Sequence, residues 1–382
     1  MRVVVLGLSL SSSWGNGHAT TYRALLRAFA ARGHQVMFLE REQSWYADHR
    51  DLQTPDFCEL TFYTSMSSLM RHREAIRDAD AVIVGSYVPD GIVVGDLVRQ
   101  TARGTTAFYD IDTPVTLAAL ERGDCAYLAA DQISGYDLYL SFTGGPTLDL
   151  LMDHYGSPDA RALYCCVDET SYRPTQASQV YDLGYLGTYS ADRQPTLERL
   201  LIEPARRAPE RRFIVAGPQY PPEIDWPANV ERRDHVPPAD HPAFYNSCRF
   251  TLNVTRADMR RAGYSPSVRL FEAGACAAPI ISDPWAGLDE LFELGPEIAL
   301  AEAPEDMLRL LAMDEPARQR MGQAGQARVL ASHTAATRAS ELEAYFNDVA
   351  ERRGDAARDD ERATATRHVK EASYERSGHE AQ

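Results

Sequence analysis

Two rounds of one pattern run along this chain and meet near residue 175: an apolar strand, a short loop, then an amphipathic helix. In the first round residues 3–10 are an apolar run, followed by the loop Ser11-Ser12-Ser13-Trp14-Gly15-Asn16-Gly17-His18. Tyr22, Leu25, Leu26, Phe29 and Ala30 then recur at helical spacing, which predicts a helix with one apolar face. Gly33 stops it, and residues 36–39 start the next strand. Further strand-like runs occupy 81–84, 105–109, 138–142 and 163–167. Beyond 175 the alternation restarts at 183–187, 213–217, 250–254 and 279–282, with helices expected near 195–207, 266–277, 304–313 and 316–331. Apolar strands separated by helices specify parallel, doubly wound sheets. The expected fold is therefore α/β, with two Rossmann-like domains, 1–174 and 175–332, facing across a cleft. A helix over 333–350 is expected to pack back on the first domain, followed by a disordered charged tail over 351–382. A ligand site belongs in the cleft.

Composition narrows the partners. A formal charge of −16 argues against a broad nucleic-acid or anionic-membrane surface. Lys370, in the tail, is the only lysine, which removes Schiff-base and Walker-type lysine chemistry from the folded part. The six cysteines show no zinc-type spacing. Neither a signal peptide nor a membrane-length apolar run is evident, so a cytoplasmic protein without a transmembrane segment is expected.

The stretch 265–283 carries the strongest chemical signal. Ser265 is placed to cap a helix and Pro266 to occupy its first position. Ala273, Gly274, Ala275, Ala277 and Ala278 permit close backbone approach. A carboxylate in so apolar a helix is costly unless a partner satisfies it. Glu272 therefore points to a ligand such as a sugar diol, the alternative being a simple pair with Arg269 three residues earlier. On the first domain's side, Gly15, Asn16 and Gly17 offer backbone amides to an anion at a helix start. His18 there either donates to a phosphate, positions an acceptor, or merely caps the helix. A dinucleotide fingerprint with Glu40 as ribose acid fails because position 20 is Thr. In Asp110-Ile111-Asp112-Thr113-Pro114, at a strand's carboxyl end, Asp112 is either a cleft carboxylate or a helix cap. Arg256 follows another strand and is placed to reach a phosphate or an anionic sugar.

The order and spacing of these features resemble GT-B-fold glycosyltransferases over residues 1–348. More specifically they resemble the CgeB-type (spore-maturation) glycosyltransferase-like proteins of bacteria, relatives of the retaining family-four group. The resemblance implies a hexosyltransferase-like enzyme moving a sugar from a nucleotide-diphosphate donor to a hydroxyl of a glycan or small-molecule acceptor. It further implies retention of configuration, no metal and no permanently bound cofactor. In that pattern Glu272 holds the nucleotide ribose, near Arg269. Gly187 ends the second domain's first strand, Thr188 stands where a basic residue is usual, and Arg193 takes the diphosphate. Asp283 and Gly287 approach the donor sugar, while His18 and Asp112 serve the acceptor side. The family's first glutamate, eight positions before Glu272, is replaced by Tyr264. A non-catalytic scaffold binding nucleotide or glycan, or a nucleotide-sugar epimerase, are the alternatives.

Overall fold

The computed structural model describes residues 1–14 and 17–355. Gly15 and Asn16, and positions 356–382 of the expected tail, lie outside the described residues. The first sheet holds β1 (Arg2–Gly7), β2 (Gln35–Arg41), β3 (Glu59–Tyr63), β4 (Ala81–Gly85), β5 (Thr105–Asp110), β6 (Leu138–Ser141) and β7 (Ala160–Ala162) in the order 3-2-1-4-5-6-7. The second holds β8 (Tyr181–Leu186), β9 (Phe213–Ala216), β10 (Val230–Arg233), β11 (Cys248–Asn253), β12 (Ile280–Ser282) and β13 (Ala299–Leu300) in the order 10-9-8-11-12-13. Every pairing is parallel. Each sheet thus reverses direction beside its own first strand, and that reversal opens a crevice at the strands' carboxyl ends. The central strands are apolar throughout because helices cover both faces; Val5, Leu6, Val82, Val84, Phe213 and Ile214 are all buried.

Four expectations need correction. The first strand ends at Gly7, not residue 10, because the next residues wrap around Glu40. Residues 163–167 are not a strand: the chain leaves the sheet after β7 to cross to the second domain, and Val167 makes only an isolated bridge to Thr334. Short strands β3, β10 and β13 are not among those expected; β10, reading Val-Glu-Arg-Arg, lacks an apolar run, and β13 spans only two residues. The final helix, over 335–355, outlasts its expected end. Residues 351–355 are helical rather than disordered, since Arg352 pairs with Asp159 and Arg353 with Asp137 on the first domain. The same helix sends the Tyr345 hydroxyl to the Ala162 carbonyl (3.1 Å) and sets Phe346 edge-on to Phe29.

His333 fastens the start of this return. Its ring stacks on Phe271 (4.4 Å, 15°). With the proton on Nε2, it donates to the Leu291 carbonyl (3.3 Å) and accepts at Nδ1 from Arg338 (2.8 Å). Burial, then the neighbouring Arg338 charge, lower its pKa to about 4. An unfolded chain protonates its histidines near 6.5, so unfolding takes up a proton below that pH. Stability should therefore fall as pH drops from about 6.5, by at most ~1.4 kcal/mol per unit from this residue. Denaturant titrations across this range should show a shallower slope for His333→Gln; an unchanged slope would assign the acid sensitivity to other groups.

Candidate functional site

The second domain's half of the cleft is built on two backbone turns pressed together. The Gly187 amide donates to the Ala216 carbonyl (2.8 Å). Gly217 has φ +141°, and a Cβ there would stand 2.1 Å from the Gly187 carbonyl oxygen. Only glycine satisfies both demands. Above this floor lies Arg269, near the start of the helix Val268–Ala275. It donates through Nε to the Leu186 carbonyl (2.6 Å) and through Nη1 to Asn253 Oδ1 (2.9 Å), with its guanidinium over Tyr185 at 4.7 Å. Ser265 does not cap this helix. The N-cap is Ser267, whose hydroxyl turns away to Asn253 (2.8 Å), while Ser265 accepts from Thr143 (3.0 Å).

Glu272 sits one turn further along, 7% exposed. It does not pair with Arg269. Its Oε2 accepts from the Tyr245 hydroxyl (2.8 Å) and lies 3.7 Å from His241 Nδ1. Tyr172, from the interdomain crossing, reaches His241 Nδ1 at 3.1 Å. Burial alone would raise this carboxyl's pKa, but hydrogen bonds from His241, Tyr245 and Tyr172 and the His241 charge carry it below the ordinary value. Glu272 is thus an ionised carboxylate at the wall of a cavity of about 360 Å³, shared with Gly187, Thr188, Arg193 and Arg269. Tyr245, His241, Asn253 and Gly217 have no signal in the sequence, because their roles depend on which loops the fold brings together.

Arg193 donates to the Thr188 carbonyl (2.7 Å). Its pKa is lowered by burial, with the charges of Arg269 and Arg256 adding to the effect. Among the described residues, none of Arg193, Arg256 and Arg269 has an acidic partner within ion-pair distance. Arg193 also borders a second cavity, about 170 Å³, lined by Asp112, Phe142, Arg256 and Met259. Gly17, Ser267 and Val268 border both cavities, so the two lie side by side at Arg193.

On the first domain's side the helix Gly17–Ala31 brings His18 Nε2 to 4.0 Å from Asp112 Oδ2, with its ring edge-on to Tyr87. Asp112 occupies the N-cap position of the helix Thr113–Arg122, yet its side chain makes no capping bond and accepts instead from the Tyr87 hydroxyl (3.3 Å). Burial lowers the His18 pKa, partly offset by Asp112. Beneath them Asp110 is fully buried on Tyr139 (2.6 Å) and Thr116 (2.8 Å), and burial raises its pKa to about 6. Glu40 is no ribose acid. Its two oxygens take the amides of Leu10 (2.7 Å) and Ser11 (2.9 Å) and the hydroxyls of Ser9 and Ser11, which moulds the serine-rich loop.

Two expected donor-side residues have other roles. Asp283 is fully buried and accepts the Thr255 amide (3.0 Å) and hydroxyl (2.9 Å); it shapes the turn after β11 and does not line either cavity. Gly287 (φ +87°) lies against one edge of the Tyr264 ring, and Gly145 (φ +57°) of the first domain lies against the other. The Gly144 amide donates to the Tyr264 carbonyl (3.0 Å). Tyr264 therefore joins the domains.

Residues 193–344 match the family described as Glycosyl transferase-like. No curated protein matches the chain in sequence. In structure the chain is similar to a sucrose-phosphate synthase from Thermosynechococcus elongatus (TM-score 0.68, 13% identity, 91% of this chain and 99% of that one). It is also similar to Anabaena HepE in complex with UDP and glucose (0.65, 13%, 91% and 100%). A third is an alpha-glucosyltransferase in complex with UDP-glucose and DNA containing an abasic site (0.69, 12%, 91% and 99%). The fold is the two-domain GT-B architecture. Family match and neighbours together support a transferase.

A Cβ at position 145 would fall 2.5 Å from Tyr264 Cδ2, and one at 287 would fall 2.3 Å from Cδ1. Gly145→Ala and Gly287→Ala should each cost about 1–3 kcal/mol in urea unfolding, from overpacking plus a strained backbone. In a Tyr264→Ala background the steric part should vanish. Full cost retained in that background would mean the ring is not the obstacle.

Proposed function

We propose that the protein transfers a sugar from a nucleotide-diphosphate donor to an acceptor hydroxyl, with retention of configuration and without a metal, as a CgeB-type branch of the GT-B enzymes. The observation that carries this reading is the ionised Glu272 beside the acid-free arginines Arg193 and Arg269 in one cavity. A carboxylate suits a ribose diol, and guanidinium groups suit a diphosphate through paired hydrogen bonds. The donor sugar then extends past Arg193 into the second cavity, towards His18 and Asp112. Domain closure there excludes water and limits donor hydrolysis. With retention, the departing phosphate helps deprotonate the acceptor, so His18 and Asp112 orient the hydroxyl rather than act as a strong base.

Calorimetric titration with UDP, GDP, dTDP and ADP tests the nucleotide half. One should bind, and Glu272→Ala should weaken it by about 2–3 kcal/mol, the effect of losing charged hydrogen bonds. Glu272→Gln, which keeps an acceptor for Tyr245, separates loss of the charge from collapse of the wall. Binding of none of the four would remove the reading.

The His18 pKa is lowered, so neutral imidazole is the form present at pH 7. The acid limb of kcat/KM should lie below pH 6.5, and Asp112→Asn should move it lower by removing the carboxylate that raises the His18 value. Product NMR should show the donor's anomeric configuration kept in wild type, in His18→Gln and in Asp112→Asn. An inverted anomer would make one of these residues a base.

A further inference from the structure

Trp14 and Trp45 are each 53% exposed, whereas Trp285 is buried. Large aromatic rings left in water beside a cleft mark a binding surface. Both are tied to His49. The Trp14 ring stacks on His49 (4.4 Å, 18°), and His49 Nδ1 approaches the Trp45 carbonyl oxygen at 3.0 Å. The His49 carbonyl accepts from Ser12 (2.8 Å), and the amides of Asp51 and Leu52 donate to the Ser11 carbonyl (3.1 and 3.0 Å). Glu40 locks that same serine loop from below. Beside the rings stands a half-exposed polar cluster in which Asp51 takes the Ser13 hydroxyl (2.5 Å) and pairs with Arg23 (2.6 Å). Ser13, next to Trp14, and Gly17 line the larger cavity, so the patch is continuous with the cleft.

We propose that this patch is a platform for a glycan chain, and that the acceptor is an oligosaccharide or polysaccharide whose end enters the cleft while its following rings lie on Trp14 and Trp45. The proposal rests on the transferase reading and names its acceptor class. Sugar rings present axial C–H faces that pack on indole, while their rim hydroxyls need both donors and acceptors; the Asp51–Arg23–Ser13 cluster supplies both. A membrane surface fits less well, because lipid headgroups call for an excess of basic residues, whereas Arg23 is paired with Asp51 in a chain of net charge −16.

The test is calorimetry with UDP, with glucose and N-acetylglucosamine, and with cellohexaose, maltohexaose and chitohexaose, on wild type, Trp14→Ala, Trp45→Ala, the double variant and Trp14→Phe. At least one hexasaccharide should bind about tenfold or more tightly than its monosaccharide. Each alanine variant should weaken it about tenfold, Trp14→Phe less, with UDP affinity within about twofold of wild type. UDP binding with no hexasaccharide binding would overturn the platform and leave the transferase reading standing. Hexasaccharide binding unchanged in the double variant would place the glycan elsewhere and also overturn it. Tryptophan-dependent retention on phosphatidylglycerol vesicles, without glycan binding, would make the patch a membrane contact instead. Loss of UDP binding in wild type is the separate failure that would sink the transferase reading itself.

Discussion

A negative charge kept ionised inside an apolar wall is the constraint around which the cleft is arranged. Glu272 stands on a helix that is otherwise apolar apart from Arg269, with which it does not pair, so its charge must be met locally. The partners arrive from two directions. Tyr245 and His241 come from the helix His241–Asn246, and Tyr172 comes from the segment joining the domains. The carboxylate is therefore fixed by the interdomain crossing as well as by its own domain. Asn253 performs the matching task for Arg269, accepting from it and from Ser267 while donating to Ser282 and Thr255.

Such an arrangement explains which parts were legible in the linear chain. Glu272 stands out because a charged side chain conflicts with apolar surroundings, which is a local signal, whereas Arg193 enters only through the resemblance. Asp112 was visible for a similar reason, at the end of a buried strand. The alternation of strand and helix is equally local, and it located most strands and the parallel architecture. What failed was non-local. Ser265 has ideal capping chemistry, yet its hydroxyl is taken by Thr143 of the other domain. Asp283 looks like a cleft residue by position, yet its carboxylate is turned into the Thr255 bend.

Tyr264 is the sharpest instance. Its place in the chain corresponds to a ligand-contacting glutamate in the resembling enzymes, which makes the substitution look like a loss. Its meaning depends on Gly145 and Gly287, two glycines far apart in sequence whose missing side chains form a slot for the ring. The tyrosine backbone itself adopts φ +49°, a left-handed conformation unusual for an aromatic residue. Strain at that point is offset by the bond from Gly144 and by the bond to Ala286 (2.6 Å).

The paired crossings between domains govern how the two halves can move. The chain passes out after β7 and returns at 333–335, and the two segments of this double passage are tied side by side: Val167 donates to the His333 carbonyl (3.2 Å) and accepts from Ala335 (2.8 Å). A single tether permits swivelling about its own axis. Two tethers bonded to each other behave as the pin of a door, leaving one easy rotation and resisting torsion. Any such rotation also has to carry or break the Gly144–Tyr264 and Thr143–Ser265 bonds, which tie the same two domains beside the crevice.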